Sequence, residues 1–443
     1  MNSARKQRVA LKAGARISEH RLGNGLTVIL AERHHDPVVA VMVWYRVGSR
    51  DEEEREAGVS HFLEHMMFKG SRRFGKGEID RVTTELGGSN NAFTGSDHTA
   101  YWFEFASDRW EKALEIEADR MKHLRIDPAE FEAEKKVVLE ELSMGDDDPW
   151  RTLSREVQLA VFRRHPYRRP VIGFTDSLKA LAAADLRDYY ARFYRPDNAV
   201  LVVCGDFEPA RALAAVRKHF GSLEGAPKSG GKRAAPFRPA IEAPTGEQRL
   251  EVRWEDEGKR LCMAWPTIPV ASDDDWTLDL ASIVLAGGKL SRLYRRLVVE
   301  ERLATTVSCQ NDTRVEGGVF WVFAEVAQGV EPAALERAID EEIGRLAAKD
   351  VPATELARAK RLVVAGEAHD SETVSDLAED LGEFAVDARW QLALEAHARV
   401  TAVGAGAVRE CVARLLRRDR RVVGWCLPKN GARGNGRRKV RRK

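Results

Sequence analysis

The chain of 443 residues is 44% hydrophobic and 7% aromatic, long enough for at least two domains that each bury a core. Its formal charge of +2 hides an asymmetry: residues 1–16 and 429–443 hold thirteen basic residues and no acid, which leaves about −11 for the stretch between. An acidic body argues against a nucleic-acid-binding surface, and no run reaches the length of a membrane-spanning helix.

The five cysteines are odd in number, scattered and mostly set in apolar runs, which fits buried thiols rather than a disulfide framework. The basic start is not followed by the apolar stretch of a secretory signal, so a cytoplasmic location is expected for the chain as given, or a periplasmic one if a precursor signal has been removed. Residues 1–16 read as a basic extension.

Two strand-like runs, "GLTVILAER" and "VVAVMVWYRVG", open the first half. A helix follows over "GVSHFLEHMMFKG", then one ending near Gly87-Gly88. Two further strands are expected in "SNNAFTG" and "HTAYWFEFA". Long helices are expected from about Asp108 to His123 and from Pro128 to Met144, more helix to about Tyr194, and a closing strand in "NAVLVVCGD". The acidic run "DEEERE" after Arg50 reads as solvated charge or as an acidic wall that attracts basic peptides.

From 222 to 248 the chain is dense in Gly, Pro, Ala and Lys and reads as a linker between a domain at 17–221 and a second at 249–428. The second half repeats the order of the first: strands "QRLEVRWED" and "RLCMAWPTIP", a helix near 274–286, another through "SRLYRRLVVEE", strands "ATTVSCQND" and "GGVFWVFAEV", long helices and a last strand "RRVVGWCL". This predicts an α+β fold of two similar domains, each a largely antiparallel sheet packed with helices. The tail at 429–443 lacks apolar periodicity and reads as disordered.

On a helix, His61 and His65 are four residues apart, about 6 Å along the axis and on one face, so both imidazoles reach one ion. Glu64 beside them is placed to reach a water on that ion rather than the ion itself. The order H-x-x-E-H inverts the H-E-x-x-H arrangement of zinc peptidases and supplies the same parts. A core helix with two satisfied histidines is the competing reading. A third ligand must come from another element, and the helix "PAEFEAEKKVVLEELSMGDDDP" offers Glu134, Glu140 and Glu141. Glu134 and Glu141 are two turns apart and expected on the inward face with Val137 and Val138, while Glu140 points elsewhere.

"HFLEH" followed by "EKKVVLEE" resembles the inverted-zincin metallopeptidases of the pitrilysin, insulysin and mitochondrial processing peptidase family, in its short two-domain form. The resemblance implies a Zn2+ ion held by His61, His65 and Glu141, with Glu64 as the catalytic base and Glu134 supporting the site from behind. "LGGSNNAFTGSDHTAYWFE" is similar to a further family segment, with Asn91, Ala92, Thr94, Asp97, Thr99 and Tyr101 in place. There the resemblance implies an edge strand, Asn91, Ala92, Phe93 and Thr94, to which an extended peptide substrate adds by backbone hydrogen bonds. "RPDNAVLVVCGDF" and "AGGKLSRLYRRLVVEERLATTVS" carry the likeness through both halves. The implied activity is a zinc endopeptidase acting on peptides or small unfolded polypeptides, with a dimer enclosing a chamber.

The chain departs from the family in its second half, where an Arg and a Tyr that contact substrate are replaced by Val298 and Thr305. Some family members divide zinc and Arg/Tyr between two homologous chains, so a heterodimer with a non-zinc partner is expected. A self-sufficient homodimer and a non-catalytic scaffold are the alternatives.

Overall fold

A computed structural model describes residues 8–12, 14–225, 238–369 and 371–429. The expected tail beyond Lys429 and the middle of the expected linker lie outside the described residues.

Among the described residues, twelve strands form two sheets: β1 Arg8–Lys12, β2 Ala15–Arg21, β3 Thr27–Glu32, β4 Val38–Tyr45, β5 Ser89–Thr94, β6 Thr99–Ala106 and β7 Ala199–Gly205 in one, and β8 Gln248–Trp254, β9 Arg260–Pro266, β10 Ala304–Asp312, β11 Val319–Val326 and β12 Val422–Pro428 in the other. The first sheet runs β1-β2-β3-β7-β4-β6-β5 and the second β10-β11-β9-β12-β8. Read from β3, the first has the same order as the second read from β8. The one parallel pair falls at the same place in each, β3 with β7 and β8 with β12, and the other neighbours are antiparallel. The repeat expected from element order is therefore a repeat of sheet topology.

Two features of the strands go beyond the sequence reading. β3 and β4, and likewise β8 and β9, are consecutive in the chain but not neighbours in the sheet, because the last strand of each half inserts between them. The basic N-terminal stretch is not wholly separate from the sheet: β1 pairs with β2, which pairs with β3. Backbone pairing at a sheet edge needs no apolar run, so hydrophobic pattern gave no signal there. The expected helix through "SRLYRRLVVEE" contains a π-helical segment, Tyr294–Glu300, in which Glu301 N–H reaches back five residues to Arg296 O at 2.8 Å.

β4 lies between β7 and β6, and from Val39 on every residue is buried, because both sheet faces are covered. On one face lie the first half's own helices, with Phe62, Leu63, Met66, Phe131 and Val138 in the core. The other face is covered by the helix Val374–Asp387 from the second half, which sets Leu377, Ala378 and Leu381 against Met42, Trp44 and Val202. Gly382 allows this approach, since a Cβ there would lie 2.0 Å from Trp44 Nε1. The exchange is reciprocal: the helix Pro149–Phe162 of the first half packs Leu153, Val157 and Val161 against Cys262, Ala264 and Val422 of the second sheet. Each half thus covers the other's sheet, which holds the two together.

Candidate metal and peptide site

The helix Val59–Met66 is amphipathic at close quarters. Val59, Phe62, Leu63 and Met66 are buried, while His61, Glu64 and His65 share the opposite, half-exposed side. Its start is fixed by Glu52, whose carboxyl accepts the N–H groups of Gly58 and Ser60, both at 2.9 Å. Gly58 has φ +96, and a Cβ there would meet Ile172 O at 2.5 Å, so glycine is required at this turn.

The second helix, Pro128–Asp146, starts at Asp127, which accepts the N–H groups of Ala129 and Glu130, with Pro128 at the first helical position. It crosses the histidine helix with Phe131 stacked on Phe62 at 4.8 Å. That crossing brings Glu141 Oε2 to 3.8 Å from His61 Nε2 and 3.6 Å from His65 Nε2. One donor atom from each of His61, His65 and Glu141 lies within 4.8 Å of the others, the only such group of three among the described residues. Glu134 stands behind His65, accepting its Nδ1–H at 2.9 Å, and its other oxygen pairs with Lys69 Nζ at 2.6 Å. Burial acts to raise the Glu134 pKa, but Lys69 and His65 outweigh it and hold the carboxyl below its usual range. Burial, with the neighbouring His65, pushes His61 down to about 4, so at neutral pH it is an uncharged imidazole with a lone pair to offer.

One expectation about this helix is corrected. Its buried stripe runs through Phe131, Glu134, Val138 and Leu142; Val137 is 48% exposed, and the Glu141 side chain is 46% exposed. Glu141 sits beside the stripe and faces the open side of the site rather than the core. Its carboxylate therefore keeps water contact that the inward assignment denied it.

Glu64 is held from a third direction, with Thr94 Oγ1 donating to its Oε2 at 2.5 Å. Burial pushes the Glu64 pKa up and the Thr94 hydroxyl opposes that shift. Thr94 ends β5, the edge strand of the first sheet. Gly95 N–H donates to His98 O at 2.8 Å, and in this register Asn91 and Phe93 bond to β6 while the backbone groups of Asn90, Ala92 and Thr94 face the open edge. The side chain of Phe93 turns to the sheet face away from Glu64, against Trp44 at 5.3 Å. Asn91 shares that parity, and its Oδ1 accepts the outward N–H of Ala92 at 2.9 Å. Thus Ala92 and Thr94 present backbone beside Glu64, Asn91 occupies one edge donor, and Phe93 turns its backbone to β6 and its ring to Trp44.

The acidic run is solvated only in part: Glu54 and Arg55 are exposed and Glu53 is half-buried. Asp51, Glu52 and Glu56 are buried: Asp51 pairs with Arg238, Glu52 caps the histidine helix, and Glu56 accepts from Arg192 at 3.1 Å. Sequence reasoning also missed Asp97 as an organiser. It is 4% exposed, pairs with Arg50 Nη1 at 2.5 Å, and accepts the Tyr167 hydroxyl at 2.6 Å and Val315 N–H at 3.0 Å. Val315 lies in the second half, so the turn after β5 is anchored across the molecule. Beside it, His165 Nε2 is 2.8 Å from Glu316 Oε2.

In the second half, the helix Asp275–Ala286 follows β9 as the histidine helix follows β4. It carries Asp275 and Asp279 at the same four-residue spacing, both hydrogen-bonded to Asn311 Nδ2 at 2.9 Å. Val298 packs against the second core, and Thr305 Oγ1 lies 3.3 Å from Glu325 Oε2 on the neighbouring strand.

Residues 27–174 match the family model described as insulinase, peptidase family M16, and residues 180–363 match the one described as peptidase M16 inactive domain. Over 328 residues, 73% of this chain and 72% of the relative, the sequence is 32% identical to an uncharacterised zinc protease of Mycobacterium leprae. It is 29% identical over 376 residues to zinc protease PqqE of Helicobacter pylori, 82% of each chain. A crystal structure of a protease from Helicobacter pylori matches with a TM-score of 0.88 at 25% identity, covering 94% of this chain and 100% of that one. A putative M16-like peptidase from Alicyclobacillus acidocaldarius shares the fold, with a TM-score of 0.84 at 22% identity over 95% of this chain and all of that one. With both halves matched in order, the chain belongs to peptidase family M16, the insulinase family.

Proposed function

We propose that this chain is a zinc endopeptidase subunit that hydrolyses peptides held along β5. The observation that carries the reading is the convergence of His61, His65 and Glu141 beside Glu64. Two imidazoles and one carboxylate form a donor set that suits zinc and leaves a position open. When bound, the ion supplies Lewis acidity and makes water a nucleophile at neutral pH.

Glu64 accepts the proton of the attacking water and passes it to the leaving amine, while Thr94 keeps its carboxylate aimed into the site. An extended peptide adds to the open edge through the backbone of Ala92 and Thr94, once the Asn91 amide turns off the Ala92 N–H. The freed amide is then close enough to the substrate backbone to donate to it. Pairing through backbone reads little side-chain identity, so specificity is broad.

Neither Val298 nor Thr305 offers the charge-stabilising donors that the missing Arg and Tyr would give, and such donors are worth about 3–4 kcal/mol each. A homologous non-zinc subunit would supply the pair and close a chamber over the peptide. The test is cleavage of a mixed peptide library by the purified zinc-loaded chain, with Glu64→Gln as control. The variant should keep its zinc and lose a factor of about 10²–10⁴ in turnover. Cleavage by the chain alone would favour a self-sufficient homodimer over the two-subunit enzyme. A chain that takes up no zinc would sink the reading.

A further inference from the structure

The stretch "GVSHFLEHMMFKG" also carries Lys69, which meets Glu134 behind the site. Lys69 lies four residues after His65. The helical turns continue to it, with Lys69 N–H donating to Met66 O at 3.0 Å, and stop at Gly70, whose φ is +126. The side chains of His65 and Lys69 therefore project the same way, and both meet Glu134 on the crossing helix. Both carboxylate oxygens are engaged: Oε1 takes His65 Nδ1–H at 2.9 Å and Oε2 takes Lys69 Nζ at 2.6 Å. The Glu134 side chain is 9% exposed and that of Lys69 25%, so the pair is sheltered but the ammonium keeps some water. By contrast, His61 Nδ1 is buried and has no hydrogen-bond partner among the described residues. Of the two imidazoles, only His65 is oriented through its far nitrogen.

We propose that Lys69 is a positioning residue for the metal site: it anchors one oxygen of Glu134 so that the other fixes the His65 ring with Nε2 toward Glu141. The inference rests on the reading of His61, His65 and Glu141 as metal ligands. A glutamate anchored at one oxygen only keeps rotamer freedom about its side-chain bonds, and each ring orientation it allows lowers the fraction of His65 ready to bind. Anchoring the second oxygen to a cation removes that freedom. The tautomer follows as well, because a carboxylate held at Nδ1 keeps the proton there and leaves Nε2 free. Two other roles make different predictions. A Lys69–Glu134 pair that only ties the two helices together would alter the unfolding temperature and leave metal affinity alone. A cation acting through space on the ion would repel it, so its removal would tighten binding whether or not Glu134 is present.

The experiment measures zinc affinity of the full chain by competition with a chromogenic chelator, for wild type, Lys69→Met, Lys69→Arg, Glu134→Ala and the Lys69→Met/Glu134→Ala double variant. Lys69→Met should weaken zinc binding by a factor on the order of ten, within the range for residues that orient a ligand. Lys69→Arg should restore most of the loss, and Lys69→Met should add nothing in the Glu134→Ala background. Should the methionine variant fail to fold, Lys69→Gln takes its place. Unchanged or tighter binding in Lys69→Met, or an equal loss in both backgrounds, overturns the proposal. A His61→Ala/His65→Ala variant separates the two readings. If it binds zinc as wild type does, the metal assignment falls and this inference with it. If it loses zinc while Lys69→Met does not, only the role of Lys69 falls.

Discussion

Thr94 Oγ1 donates to Glu64 Oε2 at 2.5 Å, so the strand that would hold the peptide also holds the base that would act on it. A hydrogen bond to a charged group is worth about 1.5–3 kcal/mol. Thr94→Val should therefore lower kcat/KM by about ten-fold or more without changing zinc content, and Thr94→Ser should retain most of the activity. Steady-state kinetics with metal analysis of the same preparations checks this; an unimpaired valine variant would remove Thr94 from the mechanism.

The Ala92 N–H faces the open edge of β5 and is taken by Asn91 Oδ1 rather than by β6. Proline is tolerated in a strand where the missing N–H points outward. Ala92→Pro should leave the circular dichroism spectrum and zinc content unchanged and lower kcat/KM by about ten-fold, the worth of roughly one backbone hydrogen bond to substrate. Full activity in a folded variant would mean that the peptide does not pair along this edge.

Asp97 joins Arg50, Tyr167 and the backbone of Val315 at the boundary between the halves. Removing one member of a buried pair leaves its partner's charge uncompensated, at a cost of about 3–5 kcal/mol. Asp97→Ala should lower stability by that order in urea unfolding. Tyr167→Phe, which removes a hydroxyl and no charge, should cost about 1 kcal/mol. Equal effects of the two would show that the ionic contact with Arg50 contributes little.

Burial pushes Glu52 up to about 8 from its ordinary value of 4.5, against the Ser60 and Gly58 N–H groups that favour the charged form. Between those two values the folded chain holds a proton that the unfolded chain has released. The stability due to this group is therefore full below about 4.5 and is lost as pH rises through about 8. Glu52→Gln keeps a neutral side chain of the same shape at every pH. Its unfolding midpoint should gain on that of wild type as the pH is raised from 5 to 9, an interval set to bracket roughly that window. A constant difference across the series would show that Glu52 is charged in the folded protein throughout.

Strands β3 to β12 were readable because β-branched and aromatic runs mark them, while β1 and β2 were not, and the histidine pair was readable because four-residue spacing on a helix is a local property. The paired acids of "DEEERE" were not readable. Their partners, Arg192 and Arg238, are more than a hundred residues away, and a charge run on its own looks solvated. Glu141 was found through a motif, but periodicity placed it wrongly on the core side. One helical turn separates Val137 from Glu141, and phase alone does not say where the core ends and the site's open side begins.

By itself the sequence determined the repeat of α+β halves, the helix that offers His61, Glu64 and His65 on one side, and the second helix that carries Glu134 and Glu141. These follow from interactions between residues near in the chain, which leave a periodic trace. Only the tertiary structure decided which carboxylate meets which imidazole, that Lys69 meets Glu134 and Thr94 meets Glu64, and that each half lends a helix to the other's sheet. Those depend on the angle at which two helices cross and on which strand lies at the edge. Both are set by packing between segments far apart in the chain, and no local period records them.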